Sequence, residues 1–306
     1  MLPPVLFLIF NRPEATADVL ATLRAAGVRR LYVAADGPRP GHPTDARHCA
    51  AARAAAQPDW PCETHTLLRT HNLGCSTAVA GALDWFFAHE PEGIIIEDDC
   101  RPAPDFFPFC AALLARYRHH PQVLHIGGNN FGPTAGATLA ADAVSYRFSQ
   151  QVHSWGWATW RRAWRHYDLH MTDLPRLTRQ GGLPGQFSGG LEAAYFLGKC
   201  WQLYRGPRPF GTWDYQWHLA RAAAGGLAIV PAVNLVSNIG CGHPDATHTH
   251  APDDPHAACP TGCLHWPLHH PAEVQPDRPH DRRAFRTFLA ARLRAKLRGW
   301  LRRGQV

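Results

Sequence analysis

Three consecutive carboxylates, Glu97, Asp98 and Asp99, follow directly after the apolar run Ile94–Ile96. Three β-branched residues in succession predict a strand buried on both faces, as in a parallel sheet. Carboxylates crowded at the end of a buried strand repel one another and lose hydration, so they require a counter-charge. The usual counter-charge for an all-oxygen cluster is Mg²⁺ or Mn²⁺, which in turn binds phosphate. A solvated acidic turn is the alternative interpretation.

Asp214, which stands between Trp213 and Trp217, is a further candidate site residue. A carboxylate flanked by two indoles is a candidate general base, because partial desolvation raises its affinity for a proton. The alternative is that Asp214 caps the start of a helix, a position that aspartate fills well.

Arg12 and Asp36 each follow a predicted strand, Val5–Phe10 and Leu31–Ala35 respectively. Ligands of open α/β sheets bind at the carboxyl ends of strands, where both residues are expected to lie. The planar guanidinium of Arg12 suits a phosphate or a pyrimidine face. The alternatives are a surface turn for Arg12 and a turn-forming role for Asp36, which precedes Gly37-Pro38.

Other candidates lie in the second half of the chain. Trp157, in the tryptophan-rich stretch 153–160, suits stacking on a sugar, although core packing is the alternative. His248 is a candidate metal ligand or diphosphate donor in a mobile loop, with an exposed loop histidine as the alternative. Cys259, Cys263 and His265 suggest zinc, but their irregular spacing favours a loop of low complexity.

The order of elements predicts an α/β fold. Strand and helix alternate through residue 100: a helix follows Pro13, another covers about 46–56, a strand lies at Thr64–Leu68, and a helix ends near His89. Repeated βα units predict a mixed, mainly parallel sheet with helices on both faces. Leu227–Val236 is predicted as one final strand. Neither Gly-x-Gly-x-x-Gly nor Gly-Lys-Ser/Thr occurs, so a bound nucleotide needs another means of recognition.

Composition narrows the function. The 306 residues include 45% hydrophobic and 18% charged residues, as in a globular protein. The net charge of +7 is concentrated in the last segment, where 282–303 holds nine Arg/Lys and no acid, so nucleic acid is not the expected partner. Nine scattered cysteines predict a reducing, cytoplasmic setting. The apolar start lacks the features of a signal peptide.

The C-terminal part divides into two segments. Residues 240–281 are rich in Pro and His and predict a lid or long loop. Residues 282–306 predict a basic amphipathic helix of the type that binds an anionic membrane surface, on the inner face of the membrane. The alternative is a terminal helix that docks on the core.

Taken together, these motifs resemble those of GT-A-fold nucleotide-sugar glycosyltransferases, in particular N-acetylglucosaminyltransferase I and its bacterial relatives. In that family an apolar strand ends in Glu-Asp-Asp, followed by Ala-Pro-Asp-Phe-Phe, as in Ile94–Asp99 and Ala103–Phe107 here. A Gly-Trp pair and a Trp-Asp pair follow, as Gly156-Trp157 and Trp213-Asp214 do. The resemblance covers about residues 4–250. It implies a catalytic domain at 1–239, with a nucleotide-binding half at about 1–120 and an acceptor half at about 121–239.

The resemblance implies a role for each matched residue. Asp99 would be the direct ligand of Mn²⁺ or Mg²⁺, and Glu97 and Asp98 would lie beside the ribose and the sugar. Arg12 would contact the nucleotide, Asp36 the uracil, and Asp214 would be the catalytic base. Trp157, Trp213 and His248 complete the implied donor site. The sequence departs from the eukaryotic pattern at Trp-Asp-Tyr-Gln-Trp, which lacks a second aspartate, and no counterpart of the eukaryotic membrane anchor is expected.

The expected function is therefore a metal-dependent inverting glycosyltransferase that moves a sugar from a UDP-sugar to a polysaccharide, lipopolysaccharide or glycolipid acceptor. Two alternatives are a sugar nucleotidyltransferase and a non-catalytic, membrane-associated glycosyltransferase-like binding module. A nucleotidyltransferase would need a glycine-rich, basic loop after its first strand, and this chain lacks one. Loss of the metal or base carboxylate would mark the binding module, but both residues are present.

Overall fold

The computed structural model describes residues 2–132, 134–240 and 259–303, with side chains up to Arg294. The strands are β1 (Val5–Ile9), β2 (Arg30–Ala35), β3 (Glu63–Leu68), β4 (Glu92–Glu97), β5 (Cys100–Pro102), β6 (Val123–Gly127), β7 (Tyr146–Ser149), β8 (Trp157–Trp160), β9 (Leu227–Pro231) and β10 (Val236–Asn238). The helices are α1 (Pro13–Ala25), α2 (Asp45–Ala55), α3 (Cys75–His89), α4 (Phe106–Tyr117), α5 (Arg161–Trp164), α6 (Leu174–Arg179), α7 (Gly190–Arg205), α8 (Asp214–Ala223) and α9 (Arg278–Arg303). A 3-10 turn covers Leu183–Gln186.

Within the described residues, eight strands form one sheet in the order β3-β2-β1-β4-β8-β6-β9-β7. The pairs β1–β2, β2–β3, β1–β4 and β6–β9 are parallel, whereas β8 and β7 run antiparallel to their neighbours. The predicted mixed, mainly parallel α/β sheet is confirmed. The predicted single strand at Leu227–Val236 is wrong: the chain turns after Pro231, and β10 pairs with β5 in a separate two-stranded sheet.

Helices cover both faces of the sheet, and successive residues of β1 alternate between the two hydrophobic cores that result. Val5, Phe7 and Ile9 pack with apolar residues of α1 and α4 on one face. Leu6 and Leu8 pack on the other face with residues of α3, α5 and α8. Burial on both faces explains the continuous apolar composition of β1 and β4.

The C-terminal part of the chain, for which the sequence predicts a lid and a membrane helix, contacts earlier parts of the chain where it is described. Asp105 accepts hydrogen bonds from the Leu264 amide at 2.8 Å and from the Trp266 indole at 3.1 Å. Thr138 forms a bridge with Cys263. Residues 241–258, including the predicted His248 site, lie outside the described residues.

Helix α9 begins as a docked helix. Asp281 is 1% exposed and Phe285 is buried, with the Phe285 ring 5.6 Å from that of Tyr195. The first turns therefore follow the docked alternative. Further along, Leu293 is 53% exposed. No described helix is long and apolar enough to cross a membrane.

Candidate active site

The carboxyl ends of three neighbouring strands meet at one edge of the sheet. Strands β2, β1 and β4 are adjacent and parallel, and the register pairs Leu8 of β1 with Glu97 of β4. The segments that follow these strands carry Asp36, Arg12 and the Glu97–Asp99 triplet. The topology therefore places the residues predicted from three separate parts of the sequence at one edge.

Arg12 is the cation that faces the acidic triplet. Its Nη1 donates to Asp99 Oδ2 at 2.6 Å and lies 3.5 Å from Asp98 Oδ1. The Phe10 amide donates to the other oxygen of Asp98 at 2.9 Å. The Arg12 and Asp99 side chains are only 15% and 14% exposed. Arg12 therefore forms a partly buried, charge-assisted pair with the residue that is expected to bind the metal.

The raised pKa values of Glu97 and Asp98 indicate that one arginine does not balance the charge around it. Burial, followed by the charges of Asp99, Asp98 and Asp214, raises the pKa of Glu97 well above its ordinary value. Burial and the charge of Asp99 also raise the pKa of Asp98, despite the opposing effects of Arg12 and the Phe10 amide. Both shifts mean that the ionised cluster is destabilised in the protein alone. A bound cation would relieve this cost.

Asp214 is on helix α8 and lies near the triplet, since its charge contributes to the raised pKa of Glu97. Its Oδ1 accepts hydrogen bonds from the Tyr215 amide at 3.0 Å and from the Thr212 hydroxyl. The N-cap position of α8 belongs to Trp213, and Asp214 is the first helical residue. The cap alternative does not describe this residue.

A buried histidine holds the Asp214 helix against the sheet. Trp217, one turn after Asp214, donates its indole N–H to His125 Nδ1 at 3.1 Å. His125 Nε2 in turn bonds to the His153 carbonyl at 2.9 Å, so the proton lies on Nε2. Burial lowers the pKa of His125 to about 3, and the ring is neutral at physiological pH.

Two of the predicted donor-site residues are placed differently from expectation. Trp157 is fully buried and packs against Trp213 with ring centroids 5.5 Å apart, so its ring has no exposed face for a sugar in this conformation. Trp213 is only 4% exposed. Both belong to an aromatic cluster beneath α8, because the strand β8 that carries Trp157 lies in the centre of the sheet.

Asp36 takes the turn-forming role that the sequence left open. Its two carboxylate oxygens accept the amides of Gly37, Leu73 and Gly74 at 2.9–3.2 Å. These bonds tie the end of β2 to the start of α3. The carboxylate is therefore directed at the backbone, and its predicted contact with a uracil is not supported by this geometry.

Several residues that support the site carry no recognisable sequence signal. Asp45 is fully buried and accepts hydrogen bonds from Asn11 at 3.0 Å and from Arg39 at 2.6 Å, and these bonds lower its pKa. This network fixes the loop that carries Arg12. Cys75 is exposed at the start of α3, where desolvation by the surrounding protein and the charges of four acids raise its pKa to about 12. Those acids are Glu97, Asp214, Asp36 and Asp99.

Glycines shape the other side of the triplet. A Cβ on Gly240 would lie 2.4 Å from Asp99 Oδ2, so only glycine allows the backbone this close to the carboxylate. Gly156, of the Gly-Trp pair, has φ +65, and a Cβ there would meet Val236 at 2.8 Å. The Gly-Trp motif therefore reflects backbone conformation and core packing.

The donor set partly fits a divalent cation. All the acidic ligands are oxygens, as Mg²⁺ and Mn²⁺ prefer. Yet among the described residues no three His, Cys, Asp or Glu side chains form a group that could hold a metal ion. Cys259 and Cys263, the candidate zinc ligands, are not part of such a group among the described residues. The fit is to a cation held by one or two carboxylates and completed by phosphate oxygens, rather than to a preformed protein cage.

Comparisons with known proteins add limited information. No family model and no curated protein sequence matches this chain. Among solved structures, HddC from Yersinia pseudotuberculosis complexed with GMP-PN is 11% identical, with a TM-score of 0.32 over 52% of this chain and 77% of HddC. The mannosyltransferase PcManGT from Pyrobaculum calidifontis, in complex with GDP-Man and Mn2+, is 15% identical, with a TM-score of 0.32 over 74% of each chain. Similarity this low carries no functional assignment.

Proposed function

We propose that this chain is a metal-dependent, inverting glycosyltransferase that uses a nucleoside-diphosphate sugar, with UDP as the first nucleotide to test. The observation that carries the proposal is the acidic site, defined as Arg12, Glu97, Asp98, Asp99 and Asp214. The Glu97–Asp99 carboxylates share one arginine at the carboxyl ends of parallel strands, and the charge of Asp214 acts on Glu97. Such an excess of negative charge calls for a cation, and a diphosphate then supplies the remaining oxygen ligands.

Two residues of the acidic site, Asp99 and Asp214, have an assigned part in the reaction. Asp99 would hold Mn²⁺ or Mg²⁺, which when bound stabilises the negative charge that develops on the departing diphosphate. Asp214 takes the proton of the acceptor hydroxyl as it attacks the anomeric carbon. The Thr212 hydroxyl and the Tyr215 amide both bind Oδ1 of Asp214, so we assign the proton to Oδ2. One base opposite the leaving group gives inversion.

The surrounding residues position this machinery. The Asn11–Asp45 bond fixes the loop of Arg12, and the His125–Trp217 bond fixes the helix of Asp214. Trp157 and Trp213 act as packing support under that helix rather than as a sugar platform. Asp36 orients the start of α3, and we leave recognition of the base to other groups. His248 is retained as a candidate donor-site residue from the sequence resemblance.

The proposal is tested by thermal-shift titration with UDP, GDP, CDP and dTDP, each with and without Mn²⁺. A ligand at 100 times its dissociation constant stabilises the folded state by about 2.7 kcal/mol. We expect one nucleotide to stabilise the wild type only with Mn²⁺, and Asp99→Asn to lose that effect. Asp59→Asn, an exposed acid paired with Arg24, is the control. No stabilisation by any nucleotide with metal would contradict the proposal.

The acceptor side is proposed from the C-terminal helix. Beyond its docked first turns, Arg292, Leu293 and Arg294 are exposed, and we assign this part to a lipid-linked or glycan acceptor at an anionic membrane surface. Vesicle sedimentation with phosphatidylglycerol against phosphatidylcholine tests the assignment. Binding to the anionic vesicles that falls with salt and with Arg292→Glu supports it, and equal binding to both vesicles contradicts it.

A further inference from the structure

The carboxylate expected to bind the metal is occupied by a side chain of the same protein. Asp99 Oδ2 lies 2.6 Å from Arg12 Nη1. On another side the backbone of Gly240 approaches so closely that a Cβ would lie 2.4 Å from the same oxygen. The remaining oxygen, Oδ1, is 3.5 Å from the Cys100 thiol. A cation that reaches Asp99 therefore meets the guanidinium first.

The two cations compete for one carboxylate. A divalent ion on Asp99 would stand within a few ångströms of the guanidinium, and the repulsion of like charges is strong in a partly buried setting. Arg12 can leave without disturbing the fold, because its backbone carbonyl, not its side chain, holds helix α1 through Thr16. What it needs on leaving is another anion, and a diphosphate provides one whose oxygens suit its planar fork.

We propose that Arg12 is a switch between metal and nucleotide: it occupies Asp99 until a nucleoside diphosphate takes the guanidinium, so that metal and nucleotide bind cooperatively. The proposal rests on the proposed function, since it needs the metal and diphosphate of that reaction. It assigns Arg12 two successive partners. Arg12 is thus both the counter-charge of the empty site and a ligand of the filled one.

The switch makes two effects of one substitution run in opposite directions. Arg12→Gln should raise the affinity for Mn²⁺ alone by at least about tenfold, because a charge-assisted hydrogen bond no longer opposes it. The same variant should bind the nucleotide diphosphate about tenfold more weakly in saturating Mn²⁺, because a ligand of the phosphates is lost. Cooperativity between metal and nucleotide should fall accordingly. A purely structural arginine would weaken both interactions or neither.

The experiment measures free Mn²⁺ by electron paramagnetic resonance during titration of the full chain, first alone and then with saturating UDP or GDP. Arg12→Lys, which retains the charge but not the fork, should fall between the wild type and Arg12→Gln. Arg24→Gln, on the exposed side of the same helix, is the control and should match the wild type. Thermal unfolding confirms that each variant is folded.

The outcomes separate the switch from the function on which it rests. Tighter binding of Mn²⁺ alone by Arg12→Gln, with weaker binding of nucleotide, supports the switch. Equal Mn²⁺ affinity in the wild type and Arg12→Gln overturns the switch, whereas metal-dependent nucleotide binding by the wild type would leave the proposed function intact. Absence of metal and nucleotide binding in every protein would overturn both.

Discussion

Two groups of buried carboxylates in this chain are stabilised in different ways. In the acidic site, the Glu97–Asp99 carboxylates share one arginine, Arg12, and burial and repulsion from neighbouring acids raise the pKa of Glu97 and Asp98. In the α9 anchor, defined as Ser149, Gln150, Gln151, Glu192 and Asp281, hydrogen-bond donors surround two acids. Asp281 accepts from the Ser149 hydroxyl and the Gln150 amide, both at 2.7 Å.

Glu192 of the α9 anchor also accepts several hydrogen bonds. It accepts from Gln151 Nε2 at 3.0 Å, from the Ser188 amide at 2.9 Å and from the Ser188 hydroxyl. Burial lowers the pKa of the nearby Arg221 to about 10, and the charges of Glu192 and Asp281 oppose that shift. Burial raises the pKa of Asp281 to about 6, and hydrogen-bond donors oppose that shift, so the anchor is a hydrogen-bonded network that secures the first turns of α9. The acidic site is left incomplete, and an incomplete site is one that a ligand can fill.

The largest effect is expected at Asp214, where a change should remove activity without removing stability. Asp214→Asn abolishes the proposed base, so transfer should fall by about 10³-fold, or about 4 kcal/mol of transition-state stabilisation. Its melting temperature should remain close to that of the wild type. Sugar transfer and thermal unfolding are measured on the same preparations, with Asp18→Asn on helix α1 as control. Retained transfer would remove Asp214 from the mechanism.

The acidic site was largely predictable from the sequence, and the reason is local. A strand buried on both faces followed by three acids specifies both an element and its end, and the parallel sheet then fixes where that end lies. Arg12 was also predictable, because it follows the first strand. Its partner was not: the ion pair with Asp99 joins residues 87 positions apart.

Other parts of the site depended on packing that no local pattern encodes. Tryptophan is a residue type that suits stacking on a sugar, but Trp157 is buried because β8 lies in the centre of the sheet. Aspartate is a residue type that suits ligand binding, but the carboxylate of Asp36 accepts hydrogen bonds from three nearby amides. The hydrogen bond between Asn11 and Asp45 joins residues 34 positions apart, and no sequence motif predicts it.

The second prediction tests the α9 anchor, where stability rather than activity should suffer. Glu192→Ala leaves the Gln151 and Ser188 donors buried without their acceptor and removes a negative charge that favours the buried Arg221 cation. We expect a loss of about 3 kcal/mol in the free energy of unfolding. Urea denaturation measures it, with the exposed Glu273→Ala as control. A loss below about 1 kcal/mol would contradict a stabilising role of the anchor and remove its difference from the acidic site.

The third prediction concerns His125, a buried titratable group outside both acid groups that secures the Asp214 helix. Its folded pKa of about 3 lies below the unfolded value of 6.5, so its stabilising contribution is complete above pH 6.5 and declines as pH falls toward 3. At pH 5 the loss is about 2 kcal/mol. The fall in unfolding free energy between pH 7.5 and 5 should therefore be about 2 kcal/mol smaller in His125→Gln than in the wild type.

Denaturant titrations at the two pH values measure this difference. His119→Gln, an exposed histidine at the end of α4, is the control and should keep the wild-type dependence. An unchanged pH dependence in His125→Gln would mean that His125 is protonated in the folded protein. The hydrogen bond from Trp217 to its Nδ1 would then be absent, and α8 would be held by packing alone.

The smallest predicted effect is the sharpest test of the comparison, because its sign differs between the two acid groups. Glu97→Gln removes a charge whose pKa is raised by burial and by three other acids, so we expect the folded state to gain about 1 kcal/mol. A raised pKa is a stabilising contribution that is lost as pH rises through it, so the gain should grow with pH. Glu14→Gln, an exposed acid, controls for the change in net charge. Destabilisation by Glu97→Gln would mean that Glu97, like Glu192, is held by its own chain, and the case for a cation at this site would weaken.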